Sequence, residues 1–204
     1  MAETTPEGLW APRSVDDTLK VYADWADRYE DDVREMGYVT PARIAMALRQ
    51  SGANTAKPVL DFGCGTGLSG LALKAVGFAA VDGTDVSPEM LARAEEKGVY
   101  QHLWLSTPGD MGHVKSGTYS IITATGVISL GAAPPETLDM LLGVLAPGGL
   151  LALSYNDATL EDAAYTGRLA GILAAGGTEL LFEEHGAHLT SKGMNATVYV
   201  LQKT

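Results

Sequence analysis

The chain has 204 residues, 46% of them hydrophobic and 19% charged, enough for one well-cored domain and short for two. A net charge of −11 argues against nucleic acid and acidic membranes as partners, since both are held through Lys and Arg, and no basic cluster escapes this average. There is no apolar run near the roughly 20 residues a membrane helix needs, no basic-then-apolar leader at the start, and a single cysteine, Cys64, so the expectation is a cytoplasmic protein without an internal disulfide.

Residues 1–13 read as a loose lead-in. Ser14 starts a helix, with Asp17 three residues on as in a capping box. Val15, Leu19, Tyr22, Ala26, Tyr29, Val33 and Met36 then recur at spacings of three and four, an apolar helical stripe that Gly37 stops. Thr40-Pro41 opens a second helix that runs to about Gln50. From Lys57 the pattern changes to alternating strands and helices. Strands are predicted at 58–62, 79–85, 100–106, 119–125 and 150–155. Helices are predicted at 66–76, at 88–98 behind the cap Ser87, at 135–145 and at 160–175. Two extended runs, 179–185 and 197–202, follow without a helix between them.

Alternation with short loops implies a parallel sheet covered on both faces. The final pair implies an antiparallel hairpin at its edge. The fold expected is therefore α/β, Rossmann-like, with a seven-stranded sheet of six parallel strands and one antiparallel. Residues 1–50 are expected to form a helical cap over residues 51–204, within one domain.

The strongest local signal is Asp61-Phe-Gly63-Cys64-Gly65-Thr66-Gly67, placed where a strand gives way to a helix. Glycines allow a sharp turn and a close ligand approach, and the first amides of the helix are unpaired donors. Two cofactors fit. Gly65-Thr-Gly67-Leu-Ser-Gly70 matches the dinucleotide fingerprint, with Asp85 at about the distance expected for an acid on a ribose hydroxyl. That reading gives a nicotinamide-linked oxidoreductase. Against it, Asp61 would be awkward beside a pyrophosphate but suits an ammonium and a sulfonium. One domain leaves little room for a second nucleotide half. The Tyr199-x-x-x-Lys203 pair falls in a strand, where four residues span roughly 13 Å. The residues favour S-adenosylmethionine.

These segments resemble the class I S-adenosylmethionine-dependent methyltransferases. Val59–Gly67 looks like their first motif and Gly83–Leu91 like their second. Leu145-Ala-Pro-Gly-Gly149 resembles the turn before their fifth strand, and Tyr22–Tyr29 the N-terminal segment of many small-molecule members. That segment and Gly98–His102 look closest to the methyltransferase-like group of the Williams–Beuren syndrome region. The resemblance implies a bound S-adenosylmethionine, with S-adenosylhomocysteine as product, and a small-molecule methyl acceptor. It implies that Gly63, Gly65 and Gly67 meet the methionine part, with Cys64 and Leu68 in the same turn. Asp61 would hold the ammonium, directly or through water, and Asp85 both ribose hydroxyls. Val86 and Met90 would pack on the adenine. Asp110, with Met111 beside it, would reach the adenine amine. Thr125 opens the loop near the transferred methyl, where many members carry His or an acid and this chain has Ser129.

Other residues admit plainer readings. Tyr22, Trp25 and Tyr29 are either core packing or a lid near the sulfonium, where cation–π attraction would act. Cys64 reads as a small side chain rather than a nucleophile. His102, His113, His185 and His188 show no ligand spacing, so no metal is expected. Tyr155, Asn156 and Tyr165 could line a substrate pocket. No catalytic residue is identified, and a non-catalytic cofactor-binding module stays open. The expected assembly is a monomer or homodimer.

Overall fold

The computed structural model describes residues 14–204, apart from the side chains of residues 15, 16, 19 and 22. The lead-in and the predicted role of Tyr22 fall outside what is described. Helices are α1 (Val15–Glu35), α2 (Thr40–Gln50), α3 (Leu68–Ala75), α4 (Pro88–Glu96), α5 (Thr137–Val144), α6 (Asp157–Leu160) and α7 (Ala163–Ala175). Strands are β1 (Val59–Phe62), β2 (Val81–Asp85), β3 (Leu103–Leu105), β4 (Ile121–Ala124), β5 (Leu150–Asn156), β6 (Thr178–Leu189) and β7 (Met194–Lys203).

The seven strands form one sheet in the order β3-β2-β1-β4-β5-β7-β6. β7 alone is antiparallel to its neighbours. The order reverses between β1 and β4, and the crevice beyond the carboxyl ends of strands at such a point is where ligands sit in open α/β sheets. β1 is buried throughout, as a strand covered on both faces must be. Its alternate residues feed two cores. Val59, with Val81, Ile121, Val198 and Val200, packs on Ile44 and Leu48 of α2 and Leu73 of α3. Leu60 and Phe62, with Ile122, Leu151 and Leu153, pack on Leu138 and Leu141 of α5 and Tyr165 and Leu169 of α7.

Caps behave as their chemistry dictates. Ser14 Oγ accepts from the Asp17 amide at 3.1 Å, and Ser87 Oγ from the Met90 amide at 3.2 Å. The helix predicted at 160–175 begins at Ala163 as α7, behind the separate short helix α6 that ends at Leu160. Asp162 accepts from the Ala164 amide at 2.8 Å and starts α7 afresh, so the chain breaks at Glu161 and Asp162. The strand predicted at 100–106 shrinks to three residues, because Tyr100 turns under the glycine loop instead. The terminal hairpin is longer than the predicted runs, since backbone pairing continues through Gly186–Ala196, Ala187–Asn195 and Leu189–Met194.

α2 packs in the layer against the sheet through Ile44 and Leu48, while α1 walls the cavities beyond the carboxyl ends of the strands. Trp25 and Val33 of α1 and Met36 at its C-cap pack on Leu189 at the tip of the terminal hairpin. Polar contacts hold the other side of α1: the partly buried pair Lys97 to Glu30, the exposed pair Arg93 to Asp27 at 2.5 Å, and the partly buried bond from Thr18 Oγ1 to the Gly131 carbonyl at 3.0 Å.

Leu151→Ala removes a fully buried side chain from the centre of the larger core. Urea unfolding is expected to show a loss of about 2–5 kcal/mol with an unchanged slope.

Candidate functional site

β1 delivers the chain into a turn of three glycines with positive φ: Gly63 at +65°, Gly65 at +53° and Gly67 at +95°. Only glycine takes this conformation without strain. The neighbours differ. A Cβ on Gly63 would sit 2.4 Å from Val127 Cγ2, whereas one on Gly65 would meet nothing within 4 Å. Gly63 is small because the protein packs against it. Gly65 faces open space, as a backbone that a ligand approaches must.

Tyr100 lies beneath the turn. A Cβ on Gly67 would come 3.1 Å from its ring, one on Gly70 2.4 Å and one on Gly83 2.9 Å. Gly70, the last glycine of the dinucleotide pattern, is thus small to admit Tyr100. The Tyr100 hydroxyl accepts from the Gly70 amide at 3.1 Å and donates to Asp61 Oδ2 at 2.8 Å.

Asp61 is fully buried. Besides Tyr100, it accepts from Ser69 Oγ at 2.5 Å and from Thr123 Oγ1 at 2.8 Å. Burial raises its pKa from 3.8 to about 6; the three hydroxyls oppose the rise and the nearby Asp85 adds to it. The Cys64 thiol is buried too, and burial with Asp61 and Asp85 holds it well above its ordinary value. It stays protonated, so it is a packing group rather than a nucleophile.

A cavity of about 170 Å³ opens above the turn. Of the residues singled out in the sequence, Tyr29, Gly63, Gly65, Asp85, Val86, Met90 and Thr125 line it. Asp85 Oδ2 accepts from the Gly65 amide at 2.8 Å and Oδ1 from the Ser87 amide at 2.9 Å. These bonds tie the end of β2 to the turn; burial raises the Asp85 pKa against them. Thr125 Oγ1 is buried without a hydrogen-bond partner among the described residues.

Other expected residues sit elsewhere. Asp61 and Cys64 lie below the turn. Gly67 begins α3, and Leu68 packs with Trp25 and Val33 of α1. Asp110 is exposed and accepts from the Gly112 amide at 2.9 Å, closing its own turn. Met111 belongs to the core. The cavity wall after β3 is instead Ser106–Gly109, displaced slightly toward the N-terminus from the acid that the motif led us to. Phe62, Ser87, Val127 and 132–134 also line it and carried no signal beyond their proximity to motifs.

Trp25 lines a second, smaller cavity of about 70 Å³, with Val33, Met36, Tyr38, Ser129, Asn156 and His188. Tyr29 and Gly126 line both cavities and mark where they meet. Trp25 Nε1 donates to the buried Asp32 at 2.6 Å. Among the described residues, no group of three or more His, Cys, Asp or Glu could hold a metal ion.

The strand order, the glycine turn and the acid ending β2 define a nucleoside-binding Rossmann-like site. Comparison gives the class. A methyltransferase-domain family profile matches residues 34–195. Methyltransferase-like protein 27 of Homo sapiens is 33% identical over 171 residues, covering 76% of this chain and 69% of that protein. Ribosomal protein L11 methyltransferase of Aliivibrio salmonicida is 28% identical, over 70% of this chain and 52% of its own length. The solved magnesium protoporphyrin IX methyltransferase of Synechocystis PCC 6803, with S-adenosylmethionine bound, superposes with a TM-score of 0.67 at 18% identity, over 95% of this chain and all of that one. The chain belongs to the methyltransferase-domain family, and its cofactor is S-adenosylmethionine.

Two substitutions separate packing from ligand space. Gly65→Ala is expected to cost about 1 kcal/mol of stability for its positive φ yet abolish S-adenosylhomocysteine binding. Gly63→Ala should destabilise more, through the Val127 clash. Thermal melts with and without ligand read both. Asp61 gives a pH signature. Its folded pKa lies above its unfolded value, so the folded state takes up the proton first as pH falls. Stability should decline by about 3 kcal/mol as pH rises from about 4 to above 6, and Asp61→Asn should remove that share of the slope.

Proposed function

We propose that the protein transfers a methyl group from S-adenosylmethionine to a small-molecule acceptor by in-line displacement. The observation that carries this reading is the wall that α1 adds to the site. α1 walls both cavities, through Thr18 and Tyr29 on one side and Trp25, Tyr29 and Val33 on the other. A protein or RNA substrate needs an open approach, and a net charge of −11 repels RNA. No helix among the described residues is long and apolar enough to cross a membrane.

The cofactor supplies a methyl group already activated on a sulfonium. The protein's task is placement and exclusion of water. Gly65 lets the backbone meet the methionine part, and Thr125 Oγ1 offers it a hydrogen bond. Asp85 accepts the ribose hydroxyls. Val86 and Met90 provide an apolar face for the base, beside the 106–109 loop. Asp61 acts on the ammonium through its charge and by fixing the turn, since all its contacts lie beneath it. Tyr29 stands between donor and acceptor spaces, so the two reactants face each other there. Such orientation can contribute roughly 7–11 kcal/mol, which is why the loop after β4 can carry Ser129 rather than a base.

With radiolabelled S-adenosylmethionine, label should enter a metabolite fraction; label in ribosomal protein or RNA alone would contradict the acceptor class. By isothermal titration, S-adenosylhomocysteine should bind and NAD should not. Asp85→Ala should weaken that binding roughly ten- to hundredfold, the scale of lost charge-assisted hydrogen bonds.

A further inference from the structure

His188 has no part in the reading so far, yet the fold goes to some length to place it. In the terminal hairpin Ala187 pairs with Asn195 and Leu189 with Met194, so His188 is the extra residue of a β-bulge. Bulges re-aim a side chain and concentrate near active sites. Arg43 of α2 clamps the strand before it, donating to the carbonyls of Gly186 at 3.1 Å, Ala187 at 2.9 Å and Ala196 at 2.9 Å. The His188 carbonyl accepts from the Val39 amide at 3.1 Å. Its ring meets Tyr38 edge-on at 5.3 Å, and Nδ1 lies 2.7 Å from Thr40 Oγ1. The side chain is 7% exposed and lines the 70 Å³ cavity. With Nδ1 engaged, Nε2 is the nitrogen left for whatever enters.

The rest of the lining sets the visitor's chemistry. Among the described residues it holds no Asp, Glu, Lys or Arg, and an ionic acceptor desolvated there would find no counter-ion among them. Trp25, Tyr29 and Tyr38 offer aromatic walls. Ser154 Oγ is occupied by the Gly126 amide at 3.0 Å, and Asn156 Oδ1 by the α6 cap. At about 70 Å³ the cavity is half the roughly 150 Å³ that takes benzene, so it admits a functional group and its adjacent carbons.

We propose that this cavity receives the hydroxyl end of a neutral acceptor, and that His188 Nε2 accepts the hydroxyl proton during transfer. The assignment rests on the methyltransferase reading above and adds the acceptor class and the base. In the tautomer required, Nδ1–H donates to Thr40 Oγ1 and Nε2 presents its lone pair. As the acceptor oxygen bonds to the methyl carbon, the carbon–sulfur bond breaks and its electron pair stays on sulfur. The hydroxyl proton passes to Nε2 and later to water. Burial lowers the His188 pKa to about 4, with Arg43 adding to the fall and Asp157 opposing it, so the ring is neutral at neutral pH. It is a weak base that takes the proton only as the new carbon–oxygen bond makes the oxygen strongly acidic, and it passes that proton on to water.

The test uses the whole protein loaded with S-adenosylhomocysteine and labelled with ¹⁵N-histidine, titrated with phenol, benzoate and benzylammonium. Phenol should shift the His188 Nε2 resonance, and the two ions should leave it in place. His188→Asn keeps an amide toward Thr40 and lacks Nε2; it should weaken phenol binding roughly tenfold, the scale of one hydrogen bond, with S-adenosylhomocysteine affinity unchanged. A silent His188 resonance, absence of phenol binding, or equal binding of benzoate would overturn the proposal. The wild-type resonance decides the matter even if the variant fails to fold. Failure to bind S-adenosylhomocysteine would instead overturn the function on which it rests.

Discussion

The site depends on one buried carboxylate. Asp61 gathers hydroxyls from three segments far apart in sequence: Ser69 at the start of α3, Tyr100 before β3 and Thr123 in β4. A buried charge is tolerable only when its oxygens are hydrogen-bonded, so these contacts must form together. Once they do, Tyr100 is fixed under the turn, and Gly67, Gly70 and Gly83 are small because its ring occupies the space. The turn is then held from below by the protein and left open above. Asp85 ties the other rim through the Gly65 and Ser87 amides.

Local chemistry made much of this legible. Three glycines between a strand and a helix, and an acid ending the next strand, need no distant partner to be read. The sheet and its terminal hairpin followed from alternation alone. What stayed hidden depends on long-range placement. Tyr100 reads as a strand residue because aromatic side chains suit strands, and only tertiary packing turns it inward. The direction of Asp61, toward the interior or the ligand, is invisible from its position beside a glycine. Asp110 carries the charge the motif suggests, but its carboxylate closes a local turn, and the uncharged Ser106–Gly109 loop takes the wall. His188 stands on a bulge, and a one-residue offset between strands leaves no mark on an alternation pattern.

Family and fold set the donor and leave the acceptor to the site. The relatives make the point: one is a methyltransferase of a ribosomal protein, another of a porphyrin. In this chain α1 walls the site, and behind it lies a small cavity without charged side chains among the described residues. Its polar groups come from the end of β5, the loop after β4 and the tip of the terminal hairpin, so the proposed acceptor end is assembled from segments that the cofactor motifs do not reach. Partly buried polar contacts from Glu30 and Thr18 hold one side of α1, and the apolar seam of Trp25, Val33 and Met36 against Leu189 holds the other.

A crystal structure with S-adenosylhomocysteine bound tests the central claim most directly. The account predicts ribose hydroxyls on Asp85, the methionine part over Gly65 and Thr125, and Asp61 still bonded to Ser69, Tyr100 and Thr123 beneath the turn. A ligand ammonium bonded directly to Asp61 with Tyr100 displaced, or a nucleoside lying outside the cavity above the turn, would contradict it.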